Sequence, residues 1–424
     1  MKIVIMAGGK GTRIASINSE VPKPMIPILN KPILEYQMEC FRNQGFTDII
    51  LVVGHLGSVI KDYFGDGSKI SSATGKSFGV HIKYVEEKEP LGTAGALYLL
   101  KEKLTEDFLL VNGDIIFDVD IKKFYKFHKD KGGSATLFTH PNNHPYDSGI
   151  IVADSNEKVI NWLHKEDKRF WYKNRVNAGL HMFSVNILKT FKDLKKMDLD
   201  REVLKPLISS GELFVYDSPE YVKDMGTPDR FYSVIEDIKT GKVKGKNLLH
   251  KQRAVFLDRD GTINRYVGFL KNIDDLELID GVDEAIKKIN EKGYLAIVVT
   301  NQPVIARGEV SIQELEEIHN KMETLLGESG AYIDDIFFCP HHPDKGFDGE
   351  KTEYKIICDC RKPEPGMLLS AAKKYNIDLS KSWMVGDSES DMKAGISAGC
   401  NVVLIGKSDI YTNYETLNKF VDNI

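Results

Sequence analysis

No stretch of this chain is apolar for the roughly 18–20 residues that a membrane-spanning helix needs. There is no internal repeat and no low-complexity tract, and no hexapeptide β-helix pattern follows the first domain. Neither sign of charge dominates: 57 Lys and Arg stand against 62 Asp and Glu, a formal net charge of −5, which argues against a nucleic-acid or membrane-surface partner. The amino terminus, Met1-Lys2-Ile3-Val4-Ile5-Met6-Ala7-Gly8-Gly9, is apolar for only about five residues, too few for a signal-peptide core, so a cytoplasmic location is expected. Cysteine is scarce, with Cys40, Cys339, Cys358, Cys360 and Cys400 the five in 424 residues, and a disulfide framework is excluded in a long cytosolic chain. A Walker A loop is missing, since Gly rather than Ser or Thr follows Lys10, and so is G-x-G-x-x-G.

What is present is enough apolar residue, 42%, for the cores of two soluble domains, the number the length favours. Short apolar runs at Lys2–Ala7, Ile49–Gly54, Phe108–Asn112, Ala254–Asp258, Tyr294–Thr300 and Ser382–Gly386 read as buried strands. Most lead through a Gly, Asp or Asn turn into a helical pattern, the rhythm of a parallel α/β sheet with its chemistry at the carboxyl ends of strands. Lys239–Arg253 breaks that rhythm with five lysines and two glycines. Domains are therefore expected at 1–238 and 253–424, with 239–252 as a basic, solvated linker.

In the first half, the strand Lys2–Ala7 runs into Gly8-Gly9-Lys10-Gly11-Thr12-Arg13. Glycines let a backbone approach phosphates and turn its N–H groups toward them, and Arg13 adds a cation. Pro22-Lys23-Pro24 then holds a lysine in an extended segment, a second phosphate cation. With Pro90-Leu91-Gly92-Thr93-Ala94-Gly95, Asn112-Gly113-Asp114, Asn177-Ala178-Gly179 and Val222–Pro228 following in order, residues 1–238 resemble the sugar-1-phosphate nucleotidyltransferases. The resemblance implies a GT-A-like mixed sheet with helices on both faces. It also implies attack of a sugar 1-phosphate on the α-phosphorus of a nucleoside triphosphate with loss of pyrophosphate. Asp114 and Asp224 become the expected Mg²⁺ carboxylates and Arg13 and Lys23 the phosphate cations. Gly8, Gly9, Gly11, Thr12 and Gly92–Gly95 (Gly92, Thr93, Ala94, Gly95) are the expected nucleotide contacts, and Asn177 and Gly179 those to the sugar phosphate. His164-Lys165-Glu166 departs from the family's Glu-Lys-Pro, leaving Lys165 the phosphate role but not the sugar contacts. Gly-Thr-Ala-Gly leaves guanylyl, adenylyl and cytidylyl transfer open, and Asn112–Asp120 looks most like heptose-1-phosphate guanylyltransferases.

In the second half, the strand Ala254–Leu257 ends in Asp258-Arg259-Asp260-Gly261-Thr262. Two carboxylates spaced this way can serve one centre, Asp258 as nucleophile and Asp260 giving and later taking a proton. With Thr300-Asn301-Gln302, Arg361-Lys362-Pro363 and Gly386-Asp387 in order, this half resembles the haloacid-dehalogenase (HAD) superfamily of phosphatases. The resemblance implies that Thr300 and Lys362 bind the transferred phosphate. It places Asp387, with Asp258 and Asp260, on Mg²⁺, and Asp391 as a supporting hydrogen-bond partner. Only 36 positions separate Asn264 from Thr300, too few for a cap domain. Cys339-Pro340-His341 and Cys358-Asp359-Cys360, separated by a 16-residue polar loop, supply four ligands suited to a closed, structural zinc site. His341 is preferred to His342 on spacing, and Cys40 and Cys400 read as core. These features, with Ile305-Ala306-Arg307-Gly308, narrow the resemblance over about residues 253–407 to heptose 1,7-bisphosphate and histidinol-phosphate phosphatases. Asn301, Arg307 and Arg361 are then expected substrate contacts. Tyr266–Phe269 and Pro303-Val304 depart from the relatives where the sugar would lie.

The expectation is a bifunctional enzyme of nucleotide-activated heptose synthesis. Its partners are a sugar bisphosphate, a sugar 1-phosphate and a nucleoside triphosphate, with Mg²⁺ at both sites and Zn²⁺ in the second domain. A homo-oligomer is left open. The rivals are another sugar or base, and a phosphatase fused to an inactive nucleotide-sugar-binding regulatory domain.

Overall fold

The strand Lys2–Met6 lies between Asp48–Val53 and Phe108–Asn112, parallel to both. The computed structural model describes residues 1–9, 21–346 and 348–424. His81–Glu86 extends the parallel set, and Val176–Phe183 runs antiparallel to Phe108–Asn112, in a nine-stranded mixed sheet among the described residues. Because side chains alternate along a strand, Ile3 and Ile5 join one core with Leu34, Met38 and Phe41, while Val4 joins another with Leu97 and Leu110. Both faces are covered, which is why these strands read as unbroken apolar runs. The helix Ile33–Asn43 packs on the first face.

Among the described residues the second sheet has six strands, parallel throughout, in the order Asp335–Cys339, Leu295–Asn301, Ala254–Leu257, Trp383–Gly386, Asn401–Ile405 and Asn413–Tyr414. Its two faces are again covered, with Val255 and Leu257 in one core and Ala254 and Phe256 in the other. The three central strands end at Leu257, just before Asp258, at Asn301 and at Gly386, so a parallel register brings their loops to one edge. Helices here begin where side chains cap them. Ser311 and Glu314 form a capping box before Ile312–Glu328, and Asp391 Oδ2 accepts from the backbone N–H and hydroxyl of Ser388 at the start of Glu389–Ala398.

Two features differ from the sequence reading. The basic segment 239–252 is not a solvated connector. The helix Pro228–Lys239 runs into it, Lys242–Gly245 forms a further turn, and Lys246, Asn247 and Gln252 are buried. Val243 and Leu248 are the cause: each enters a hydrophobic cluster, the first with Ile26 and Phe231, the second with Phe256 and Leu368. The chain divides by its internal contacts into Met1–His140, Ile151–Trp162 and Asn177–Asn247 as one unit, and Pro141–Ile150, Leu163–Val176 and Leu248–Ile424 as the other. Two short stretches from the first half thus belong to the second unit. There, Arg175 is buried against Glu323 at 3.2 Å and donates to the Asp334 carbonyl, while Thr324 exchanges hydrogen bonds with the backbone of Tyr172. Removing one partner of this buried Arg–Glu pair would leave an uncompensated charge, at a cost of about 3–5 kcal/mol. Among the described residues no helix is long and apolar enough to cross a membrane.

Candidate active sites

In the first unit the Asn112-Gly113-Asp114 turn sits beside the end of Lys2–Met6, where Gly113 N–H donates to the Met6 carbonyl at 2.9 Å. A Cβ on Gly113 would lie 2.7 Å from that oxygen, so only glycine lets the turn come so close. Gln37, fully buried on the helix Ile33–Asn43, donates to the carbonyls of Asn112 and Ile115 at 2.9 and 2.8 Å and holds the turn from behind. Asp114 then meets Lys23 at 2.6 Å. Tyr221–Asp224 pairs antiparallel with Ile115–Asp118, and Asp224 falls opposite Ile115, one residue from Asp114. Arg230, on the helix that Thr227 caps, reaches back to both oxygens of Asp224 at 3.0 and 2.8 Å. Each acid therefore already has its own cation.

The glycine motifs also carry packing. A Cβ on Gly8 would meet the Glu87 carboxylate at 2.2 Å, while Gly9 faces open space. Burial raises the Glu87 carboxyl above its ordinary range. Gly92 and Gly95 bring their backbone against the carbonyls of Met197 and Lys195, and the Thr93 hydroxyl accepts from Leu199 N–H at 2.7 Å. Ala94 N–H donates to Met197 at 3.1 Å. The Asn177 side chain accepts from Gly179 N–H and faces His181, which burial holds down at about 3, hence uncharged. Gly179 has φ +79°, and a Cβ there would strike Asn112. Gly11, Thr12 and Arg13 lie outside the described residues. Lys165 is an exposed turn residue in the stretch 163–176, which belongs to the second unit.

In the second unit Asp258 and Asp391 flank one buried lysine, with Lys362 Nζ at 2.6 Å from the first and 2.5 Å from the second. Burial pushes the Asp258 carboxyl up to about 7, against the opposing pull of Lys362. Burial would lower the Lys362 ammonium, yet the two carboxylates hold it above the ordinary lysine range. Asn301 fixes that lysine's backbone, accepting from Lys362 N–H and donating to its carbonyl, both at 3.0 Å. Thr300 accepts from Gln302 Nε2 at 2.9 Å, leaving its own O–H free to point at a phosphate. Asp387 completes the edge, its carboxyl raised by burial and by Asp391. Ligand oxygens of Asp258, Asp387 and Asp391 lie within 4.8 Å of one another, an oxygen donor set fitted to a hard divalent cation.

Asp260 is placed otherwise than on that cluster. Its carboxylate is turned to Arg259, Asn264 and Gln302, so the third clustered acid is Asp391, which the sequence reading gave only a supporting part. Asp391 fills that part as well, through Ser388. The pocket above these groups is lined by Tyr266, Phe269, Pro303, Val304 and Arg361, so loops cover the site in place of a cap. The Arg307 guanidinium stacks 4.0 Å over the Phe269 ring.

Cys339, His341, Cys358 and Cys360 converge beside this site, with ligand atoms within 4.8 Å. His341 Nδ1 is 3.3 Å from Cys360 Sγ, whereas His342 Nδ1 accepts from Asp344 N–H. Arg361 donates to the His341 carbonyl at 3.2 Å, tying the cluster to the residue before Lys362. Cys40 is buried, and Cys400 is partly so. Of the residues that orient these sites, sequence reading missed Gln37 and Arg230, neither of which sits in a motif. Gln302 was visible inside one but had no assigned work.

A nucleotidyl transferase family model matches residues 2–241, and a HAD-hydrolase-like model matches residues 359–419. The first half of the chain belongs to the nucleotidyl transferase family and the second to the HAD-like phosphatases. Over 145 residues, 34% of this chain and 74% of the relative, it is 45% identical to the D-glycero-beta-D-manno-heptose-1,7-bisphosphate 7-phosphatase of Escherichia coli strain K12. It is similar to the solved structure of HddC from Yersinia pseudotuberculosis complexed with GMP-PN, at 26% identity over 56% of this chain and 99% of that one, with a TM-score of 0.47. It is also similar to the D,D-heptose 1,7-bisphosphate phosphatase from B. bronchiseptica complexed with magnesium and phosphate, at 32% identity over 41% and 97%, with a TM-score of 0.36. The chain is thus an enzyme with a nucleotidyltransferase and a phosphatase domain.

Gly261 has φ +85°, and a Cβ there would lie 2.0 Å from Asp387 Oδ2. Gly261→Ala can be accommodated only by moving Asp387, so phosphate release should fall at least about tenfold while pyrophosphate release is unchanged. Steady-state assays of each product, with each site given its own substrate, check this.

Proposed function

We propose that this chain removes the 7-phosphate from D-glycero-D-manno-heptose 1,7-bisphosphate and then transfers a nucleotidyl group, GMP from GTP, to the resulting 1-phosphate. The observation that carries the reading is the pair of differently built sites, one with Asp258 and Asp391 around a buried lysine, the other with two acids matched to Lys23 and Arg230. The 45% identity to the E. coli phosphatase supports the sugar. The likeness of Asn112–Asp120 to heptose-1-phosphate guanylyltransferases supports the base. Nucleoside triphosphate as co-substrate suits a cytoplasmic enzyme.

In the phosphatase, an Asp258 oxygen attacks phosphorus and the bond to the sugar oxygen breaks, with Asp260 passing its proton to that oxygen. Asp260 then takes a proton from water as the water attacks the aspartyl phosphate, releasing phosphate and restoring Asp258. Lys362 and the Thr300 hydroxyl hold the transferred group. Asp258 and Asp387, with Asp391 beside them, would hold Mg²⁺, which offsets repulsion between carboxylate and phosphate when bound. In the transferase, a sugar-phosphate oxygen attacks the α-phosphorus and the bond to pyrophosphate breaks, a reaction of positioning and charge neutralisation. Lys23 and Arg13 neutralise phosphates there. Asp114 and Asp224 would hold Mg²⁺. With each site given its own substrate, the bisphosphate alone or heptose 1-phosphate with GTP, Asp258→Asn should abolish phosphate release, by at least about 10³-fold, and leave pyrophosphate release intact. Lys23→Ala should do the reverse. Loss of both products in either variant would overturn the assignment of two separate sites.

Cys339, His341, Cys358 and Cys360 fit a structural Zn²⁺, being soft and borderline donors that fill four positions. Burial pushes the Cys339 thiol up to about 11 and raises Cys360 further. Zinc takes thiolates, so its binding must displace the protons that burial favours on these sulfurs. Zinc affinity should rise with pH, as chelator competition would show. Stripping the metal should cut phosphate release by loosening Arg361 and Lys362. Phosphate release unaltered in metal-stripped protein would contradict that role.

A further inference from the structure

Asp260 is the most heavily held carboxylate of the phosphatase site. Its Oδ1 accepts from Arg259 Nε and Nη2 at 3.2 and 2.9 Å and from Asn264 Nδ2 at 3.0 Å. Its Oδ2 accepts from Arg259 Nη2 at 2.8 Å and Gln302 Nε2 at 3.0 Å. Arg259 is the residue between the two catalytic carboxylates, where a spacer is expected to point to solvent, yet it is 0% exposed. Its guanidinium is held in turn from behind: Nη1 donates to His319 Nε2 at 3.2 Å, and Nη2 to Gln302 Oε1 at 3.1 Å. His319 is buried on the helix Ile312–Glu328, its ring near Phe338. Gln302 also donates to the Thr300 hydroxyl, so one amide joins the phosphate-binding hydroxyl, Asp260 and Arg259.

We propose that Arg259, locked by His319 and Gln302, is a positioning residue that fixes the Asp260 carboxylate relative to Asp258 and Thr300. The two carboxylates are two residues apart and must stand at different angles to one phosphorus. Lys362 anchors Asp258, and a separate, planar fork anchors Asp260. A lysine in place of Arg259 would supply the charge without the fork. The proposal rests on Asp260 as the proton-transfer group of the reaction above.

Proton delivery matters most when the leaving oxygen is a poor one. A sugar phosphate needs its leaving alcohol protonated, whereas p-nitrophenyl phosphate expels a stable phenolate. Because kcat/KM reports only the steps up to departure of the leaving group, it does not register the later attack of water, which is common to both substrates. In the full-length enzyme, His319→Leu and Arg259→Lys should each lower kcat/KM for an alkyl sugar phosphate at least about tenfold. They should lower kcat/KM for p-nitrophenyl phosphate less than about twofold. His319→Asn, which keeps an acceptor, should recover much of the loss. Asp260→Asn should show the same leaving-group selectivity, and adding Arg259→Lys to it should cost nothing more.

An equal fall in kcat/KM for both substrates would reduce the clamp to general structure and overturn the proposal. So would unaltered kcat/KM for both, or additive losses in the double variant. If Asp260→Asn itself showed no leaving-group selectivity, the proton-transfer assignment would fall first. The clamp would then have nothing to position.

Discussion

A parallel sheet delivers carboxylates to one edge, and they cannot stay there, buried and close to a phosphate, without a cation built among them. In the phosphatase unit that cation is Lys362. Its side chain is 2% exposed and contacts Asp258 and Asp391 at once. Removing such a charge would leave two buried carboxylates unpaired, a loss of the order of 3–5 kcal/mol or more. Much of the unit is arranged to keep the lysine in place. Asn301 clasps its backbone, Arg361 beside it is tied to the His341 carbonyl, and Asp391 is itself fixed by Ser388 at a helix start. The nucleotidyltransferase unit pairs its acids too, Lys23 with Asp114 and Arg230 with Asp224, though these carboxylates are partly exposed.

The difference suits the two reactions. Phosphate-ester hydrolysis through an aspartyl intermediate needs one carboxylate to attack and another to move protons, so the two must be anchored separately. Nucleotidyl transfer needs no nucleophile from the protein, and its acids and cations are paired across a strand register that only sets their spacing. In both units, glycine appears where backbone or carboxylate must approach within the radius of a methyl group, at Gly113 against Met6 and at Gly261 against Asp387.

The strands and their order of chemistry were legible because both sheets are buried on two faces and so read as apolar runs ended by Asp, Asn or Gly. The convergence of Cys339, His341, Cys358 and Cys360 was legible from spacing alone, since two tight pairs in a polar loop have few other uses. Arg259 was not legible, because a residue between two carboxylates of one motif looks like a spacer until its burial is seen. Gln37 and His319 sit in mid-helix at positions that look like ordinary members of a face. The packing of 163–176 into the second unit escaped notice because its anchor, Arg175 with Glu323, joins residues nearly 150 positions apart. The basic segment 239–252 misled by its lysines; two apolar residues, Val243 and Leu248, decide its course.

The central claim is that one chain consumes a sugar bisphosphate and a nucleoside triphosphate in sequence. The most direct measurement is to incubate the protein with D-glycero-D-manno-heptose 1,7-bisphosphate and each of ATP, GTP, CTP and UTP, with Mg²⁺, and to identify the products by mass. The account predicts heptose 1-phosphate and inorganic phosphate in every reaction, and GDP-heptose with pyrophosphate when GTP is present. An intact bisphosphate throughout, or a heptose 1-phosphate that no triphosphate converts further, would contradict it.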